Sequence, residues 1–262
     1  MKKRWIALNS AIVFAVLVAA WDRAVAWSHV PPYILPGPLA VATALYVRFP
    51  SLVNSLWITT IEAAGGLVAA ILAGMVISMV FAQWRALRQL VYPYTILLQT
   101  VPIVAVAPLI INWVGAGIAA VMVVTFIICL APVIANATQG LISVDENLIQ
   151  LFMMNNATPA QVLLKLRLPY ALPHLFTGVR IAAGISVIGG LTGELFAGST
   201  RVGEGGLGYA ILYASNQMEI SYLFALVLAA TVLGFAFFFV VMFVEWLLLH
   251  NWHESSRATA SE

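Results

Sequence analysis

The chain has 262 residues, 63% of them hydrophobic and 8% charged, whereas soluble domains run about 45–50% apolar and about 25% charged. A soluble fold of this length cannot hide so much apolar surface, but a bilayer dissolves it; a soluble enzyme, a disordered chain and a nucleic-acid binder are therefore excluded. The net charge of +2 is too small for a polyanionic partner, and the single cysteine, Cys129, leaves no intrachain disulfide or cysteine-based metal cage.

A spanning helix needs about 20 mostly apolar residues. The first expected span runs from Trp5 to about Ala26 behind Lys2-Lys3-Arg4. Its apolar part is too long for a signal peptide, so it reads as a retained span. Pro31, Pro32, Pro36 and Pro38 then break the chain, and Leu39 to Phe49 reads as a surface helix. The second span is expected over Leu56–Gln83. From Gln89 to Val144 there is no Asp, Glu, Lys or Arg. Asn112, Gly115 and Gly117 divide that stretch into spans near Leu90–Ile111 and Ile118–Gln139. A more polar loop, about 141–173, follows; the fifth span is expected over Leu175–Gly198 and the sixth over Tyr222–Leu249. The expectation is one all-α membrane domain over 1–262 with six transmembrane helices and outer loops at about 27–55 and 199–221.

Cytoplasmic loops collect Lys and Arg. With the N-terminus inside, nine basic residues fall inside (Lys2, Lys3, Arg4, Arg85, Arg88, Lys165, Arg167, Arg180, Arg257) and three outside (Arg23, Arg48, Arg201). Both termini and the 141–173 loop are thus expected in the cytoplasm.

Within that loop Thr158 is a good N-cap, Pro159 suits the first helical position and Gln161 completes a capping box. Pro169 disfavours helical geometry at Leu168, which predicts a stub of about ten residues, roughly 15 Å long. Val162, Leu163 and Leu166 would enter a groove, with Lys165 and Arg167 facing water or a partner's carboxylates. The same stub also fits a helix lying on the lipid surface with snorkelling cations.

The segment resembles the EAA loop of bacterial ABC-importer permeases: Glu-Ala-Ala, three residues, Gly, nine residues, Ile-x-Leu-Pro. Leu168-Pro169 supplies the closing pair, with Leu166 for Ile; Asn156 stands at the glycine and Gln150-Leu151-Phe152 at Glu-Ala-Ala. The run from Leu168 to Ile181, with Ala171-Leu172-Pro173 and Gly178-Val179-Arg180-Ile181, is similar to the nitrate/taurine/sulfonate branch. So are Pro102, Pro108, Trp113-Val114-Gly115, Glu194, Gly206-Leu207-Gly208-Tyr209 and Trp252-His253. The resemblance implies a type I importer-like permease whose loop holds a coupling helix seated in a separate ATPase subunit. That places Asn156, Ala157, Thr158, Pro159, Ala160, Gln161, Leu163, Leu164, Lys165, Arg167 and Pro169 at the ATPase contact. It implies an ATPase dimer as partner, with ATP and Mg2+ bound there, a second copy of this permease, an extracytoplasmic binding protein and the inner membrane of a bacterium. Solutes of the branch include nitrate, sulfonates, taurine, bicarbonate and heteroaromatic vitamin precursors. Phe224-Ala225 and Trp252-His253 look more like members linked to pyrimidine or riboflavin-type compounds.

The only lysines are Lys2, Lys3 and Lys165, none after a glycine, so no phosphate-cradling loop is present. No His-Glu-x-x-His, nucleophile elbow or His/Cys cluster occurs either. Neither catalysis nor a resident cofactor or metal is expected of this chain. Glu62, Glu194 and Glu245 lie within expected spans, where a carboxylate costs roughly 2.5–3.5 kcal/mol. Glu194 fits an outer gate or a carboxylate bonded to nearby backbone or Arg201, and Glu245 a local pair. Gln99, Pro102 and Gly190 complete the pathway candidates with Glu62 and Glu194. A proton- or ion-coupled transporter using the carboxylates, and a membrane scaffold with no pathway, are the alternatives. Gly65, Ala69 and Ala73, and beside them Gly66, Ala70 and Gly74, make small-residue faces for close helix approach, as do Gly189 and Gly193. Gly203, Gly205, Gly206 and Gly208 are expected to turn the chain before a short helix at Tyr209–Asn216. His29, His174, His250 and His253 read as interfacial anchors.

Overall fold

The computed structural model describes residues 2–28, 30–31, 34–197 and 205–250. Eleven α-helices, one of them entered through a π turn, make up the ordered elements among the described residues. They are α1 (Lys2–Ser28), α2 (Pro38–Val47), α3 (Phe49–Gln83), α4 (Arg85–Leu97), α5 (Ile103–Val114), α6 (Ile118–Ile142), α7 (Glu146–Met154), α8 (Pro159–Val162), α9 (Leu168–Ala197), α10 (Leu207–Asn216) and α11 (Ile220–Leu249); the π turn is Leu163–Arg167. Gly198, Arg201, Gly203, His29 and the Trp252-His253 pair lie outside the described residues.

Four stretches are long and apolar enough to cross a membrane: Phe49–Gln83, Ile118–Ile142, Pro159–Ala197 and Ile220–Leu249. They match the second, fourth, fifth and sixth expected spans, and α1 covers the first. The expected third span is not one helix. It divides into α4 and α5 around Gln99–Pro102, because Pro102 has no N–H to continue the ladder and holds Val101 out of helical geometry. The next break falls where expected. Gly115 and Gly117 have φ of 95° and 120°, a region L side chains avoid, and they turn the chain from α5 into α6.

The second departure is at Pro169. The chain does not stop there: α8, the π turn and α9 form one continuous helical rod from Pro159 to Ala197. The reason lies in the turn just before the proline. A proline ring collides with the carbonyl four residues back, here that of Lys165. The wider turn, in which the Leu168 N–H reaches Leu163 O, re-aims that carbonyl and lets the helix run on.

α3, α6 and α9 form the core, with α6 packed along both neighbours. Of the two small-residue faces, Gly66, Ala70 and Gly74 are buried, whereas Ala69 is exposed and Gly65 and Ala73 are half-buried. A Cβ at Gly66 would stand 2.5 Å from Thr125 Cβ, and one at Gly74 would stand 2.6 Å from Val133 Cγ1. These positions let the α3 and α6 backbones approach closely, which drives association where lipid offers no hydrophobic force. Gly189 and Gly193 do the same for α9 against Thr125 and Val121 of α6. α11 flanks α9, α10 tucks among α3, α9 and α11, and α1 touches α2 and stacks Trp21 on Phe224.

Candidate functional site

At one end of the bundle, Asp145 caps α7 by accepting the Asn147 N–H at 2.8 Å. The chain then reverses through a turn in which Ala157 N–H reaches Phe152 O and Asn156 N–H reaches Met153 O. This is the Schellman pattern that ends a helix on a left-handed residue. Asn156 has φ 53°, so the asparagine occupies the conformation that glycine takes in the EAA pattern; its short amide side chain tolerates it. The predicted capping box follows: Gln161 N–H donates to Thr158 Oγ1 at 3.3 Å and Thr158 N–H to Gln161 Oε1 at 2.8 Å.

The stub's faces differ from expectation. Val162 is buried within the chain and Leu163 packs near Ala82, Leu141 and Ala171, so neither is free to enter a partner's groove. The free face carries Ala160, Gln161, Leu164 and Lys165, with Leu151, Met153 and Met154 of α7 beside it. A cavity of about 330 Å3 between Leu151, Phe152, Asn155, Ala157, Gln161 and Lys165 indents this face. Arg167 does not point away from the protein. It donates to Ala82 O at 2.7 Å, one of the carbonyls that the α3 C-terminus leaves without a helical donor. Gln83 Nε2 donates back to Pro159 O at 3.3 Å.

At the opposite end, Glu194 is 3% exposed and Thr59 fully buried. Glu194 Oε2 accepts Gly208 N–H at 2.5 Å, Thr59 Oγ1 donates to Glu194 Oε1 at 2.6 Å, and Leu207 N–H donates to Thr59 Oγ1 at 2.8 Å. α10 has no side-chain cap of its own. Its first two N–H groups are instead capped by residues of α9 and α3, with the carboxylate at the positive end of the helix dipole. Gly206 and Gly208 permit this, since a Cβ on either would collide with Glu194, and at Gly208 also with Leu191 O. Glu62 is buried beside Glu194 within hydrogen-bond reach, with its Oε2 unpartnered among the described residues. Gly190 is buried in the same α3–α9 contact, 3.6 Å from Thr59 Cγ2 by its virtual Cβ. Sequence reading missed Thr59; its only signal was a Thr-Thr pair set close to Glu62 in an otherwise apolar run.

Glu245 pairs with Arg180, whose Nη2 lies 2.7 and 2.8 Å from its two oxygens, joining α9 to α11. Arg48, between α2 and α3, bonds Glu219 and sits 5.0 Å over the Tyr222 ring. The three intramembrane carboxylates are therefore not strung into a chain: Glu62 and Glu194 are together and Glu245 is occupied elsewhere.

The break between α4 and α5 opens onto a cavity of about 450 Å3. Gln99, Val101 and Ile103 line it from the break, Ile128 and Pro132 from α6, and Ile181 and Ile185 from α9. Irregular backbone at membrane depth is tolerated where it is buried in protein or lines a wet cavity, and broken helices mark such sites in transporters. Pro132 has no N–H to offer the Ile128 carbonyl. Among the described residues of the lining, Gln99 is the only one whose side chain can hydrogen-bond, and none is charged. Pro102 is the N-cap of α5 at this break. The pathway candidates thus separate: Gln99 and Pro102 are at the cavity, while Glu62, Glu194 and Gly190 are in the packed cluster.

Comparison with known proteins agrees in outline. The chain is 30% identical over 241 residues to a probable ABC transporter permease protein of Haemophilus influenzae, covering 92% of this chain and 95% of that one. It is 29% identical over 254 residues to a formylaminopyrimidine transport permease of Halalkalibacterium halodurans, covering 95% and 98%. It is 34% identical over 207 residues to a riboflavin transport system permease of Chloroflexus aurantiacus, covering 78% and 76%. Residues 66–248, holding the second half of α3, all of α6 and α9, the stub and α10, match the binding-protein-dependent transport system inner membrane component family. The chain belongs to that family and is an ABC-importer permease.

Proposed function

We propose that two copies of this chain form the pathway of an importer in a bacterial inner membrane, with both termini and the stub in the cytoplasm. A separate ATPase pair seats on the stub, and an extracytoplasmic binding protein delivers the solute to the opposite face. The observation that carries this reading is the free face of Ala160, Gln161, Leu164 and Lys165 on a capped stub continuous with a spanning helix. A lipid-surface helix would be hinged from its span; this one extends it, so force applied at the stub reaches the membrane. A relay of carboxylates, which a proton-coupled carrier needs, has no support from the separation of Glu245 from Glu62 and Glu194.

Between the two solute classes the branch offers, the α4–α5 cavity favours the heteroaromatic one. Its apolar walls and one side-chain amide suit a flat, uncharged ring system with a donor and an acceptor at its edge. An anion such as taurine's sulfonate would be desolvated there without a counter-charge, which is costly.

Affinity purification in mild detergent tests the assembly. An ATPase and a binding protein are expected with the wild-type chain, and the ATPase is expected to be lost from Ala160→Arg and Leu164→Asp while the permease stays in the membrane. A purified chain that moves solute with no second protein would sink the reading. For the solute class, the reconstituted importer with its binding protein is expected to hydrolyse ATP faster with riboflavin or a formylaminopyrimidine than with taurine.

A further inference from the structure

Two ties hold α3 to the rod of residues 159–197, one at each end. Arg167 and Gln83 link the π turn and Pro159 to the last turn of α3. Some 27 residues further along the rod, Glu194 meets Thr59, itself about 23 residues back along α3; at 1.5 Å per residue the ties are roughly 35–40 Å apart. Between them the two helices share α6 through the glycine contacts at Gly66, Gly74, Gly189 and Gly193. Two antiparallel rods bonded at both ends and packed through a third cannot slide or splay without breaking these bonds, which are buried at the Glu194–Thr59 end and part-buried at Arg167. At the Glu194 end such a bond has no water to replace it, so breaking it leaves a buried polar group in apolar surroundings.

We infer that Arg167 and Glu194 are positioning residues for transport: Arg167 fastens the stub to α3, Glu194 fastens α10 to both rods, and the stub, α3, α9 and α10 move as one body. This rests on the coupling reading above and deepens it. The ATPase's push would then be delivered to α10 at the far face without loss, and the moving joints would lie outside the block, at the α4–α5 break and the glycine turn before α6. Arg167 contributes its guanidinium to a helix C-terminus rather than to a partner. Glu194 contributes acceptors to a helix N-terminus rather than a gate charge.

Pulsed electron spin resonance on the whole importer complex tests this with nitroxides at Trp57→Cys on α3 and Ser215→Cys on α10. Both positions are exposed, and Cys129 is fully buried and escapes labelling. The Trp57–Ser215 distance is expected to be the same without nucleotide and with nucleotide trapped by vanadate. Glu194→Ala is expected to broaden it, whereas Glu194→Gln, which keeps one acceptor oxygen, holds it narrow. The distance between the Ser215 labels of the two copies is expected to change between the two states. Arg167→Ala is expected to abolish that change while vanadate still traps nucleotide, and Arg167→Lys to restore it. A Trp57–Ser215 distance that shifts between states in the wild type overturns the inference, as does an Arg167→Ala complex whose inter-copy change is intact. Absence of any inter-copy signal would instead refute the paired-permease reading beneath it.

Discussion

Asn156 shows how a departure from a motif is absorbed by a single residue. The left-handed turn after α7 needs φ near 53°, which glycine reaches freely and asparagine reaches at small cost, whereas a β-branched residue does not. Asn156→Gly is expected to leave thermal stability within a few tenths of a kcal/mol, and Asn156→Val to lower it by about 1–2 kcal/mol, read as a melting shift of the detergent-solubilised protein. The Arg180–Glu245 pair carries a different lesson. Either single change, Arg180→Met or Glu245→Met, strands a partly buried charge and should destabilise. The double change should destabilise less than the worse single one, because the pair's desolvation cost goes with it. The melting temperatures of the three variants check this.

At the scale of elements, helix contact and helix continuity decide the behaviour. Gly66→Leu forces a side chain into Thr125 of α6 and is expected to cost about 1–3 kcal/mol by overpacking. Gly184, on the same rod as Gly189, is exposed and meets nothing within 4 Å. Gly184→Ala is therefore expected to stabilise by roughly 0.5–1 kcal/mol through helix propensity alone. Thermal melting of both variants separates contact from propensity. As a local rule, Pro169 predicts a helix stop. The structure overrides it because the π turn moves the obstructing carbonyl, and because the rod's continuation packs on α6 and α3 along its length.

For the whole molecule, the membrane character, the spans of α3, α6 and α11, the glycine turn into α6, the capping box and the family resemblance were all legible. Each depends on local pattern: apolar length, absent charge, or a residue type that one backbone conformation requires. The break of the third span was not, since Pro102 alone does not distinguish a kink from a gap; neighbours able to line the gap made it tolerable. The face of the stub was also hidden, because which of Leu163 and Leu164 is covered depends on where Ala82 and Leu141 lie. Gln83→Ala, which removes the longer, exposed bond at 3.3 Å, is expected to leave ATPase capture intact in the same affinity purification, in contrast to Leu164→Asp.

The sequence by itself determined that this chain lives in a bilayer, which family it resembles, and where a capped stub interrupts its apolar stretches. Those are properties of composition and short spacing. Only the tertiary structure decided that Glu194 caps a helix, that Arg167 turns inward to α3, and that the uncharged cavity opens at Gln99. Each of these joins residues of separate helices. In a chain this apolar, a polar side chain's role is set by whichever unpaired backbone group or opposite charge the packing brings within about 3 Å of it.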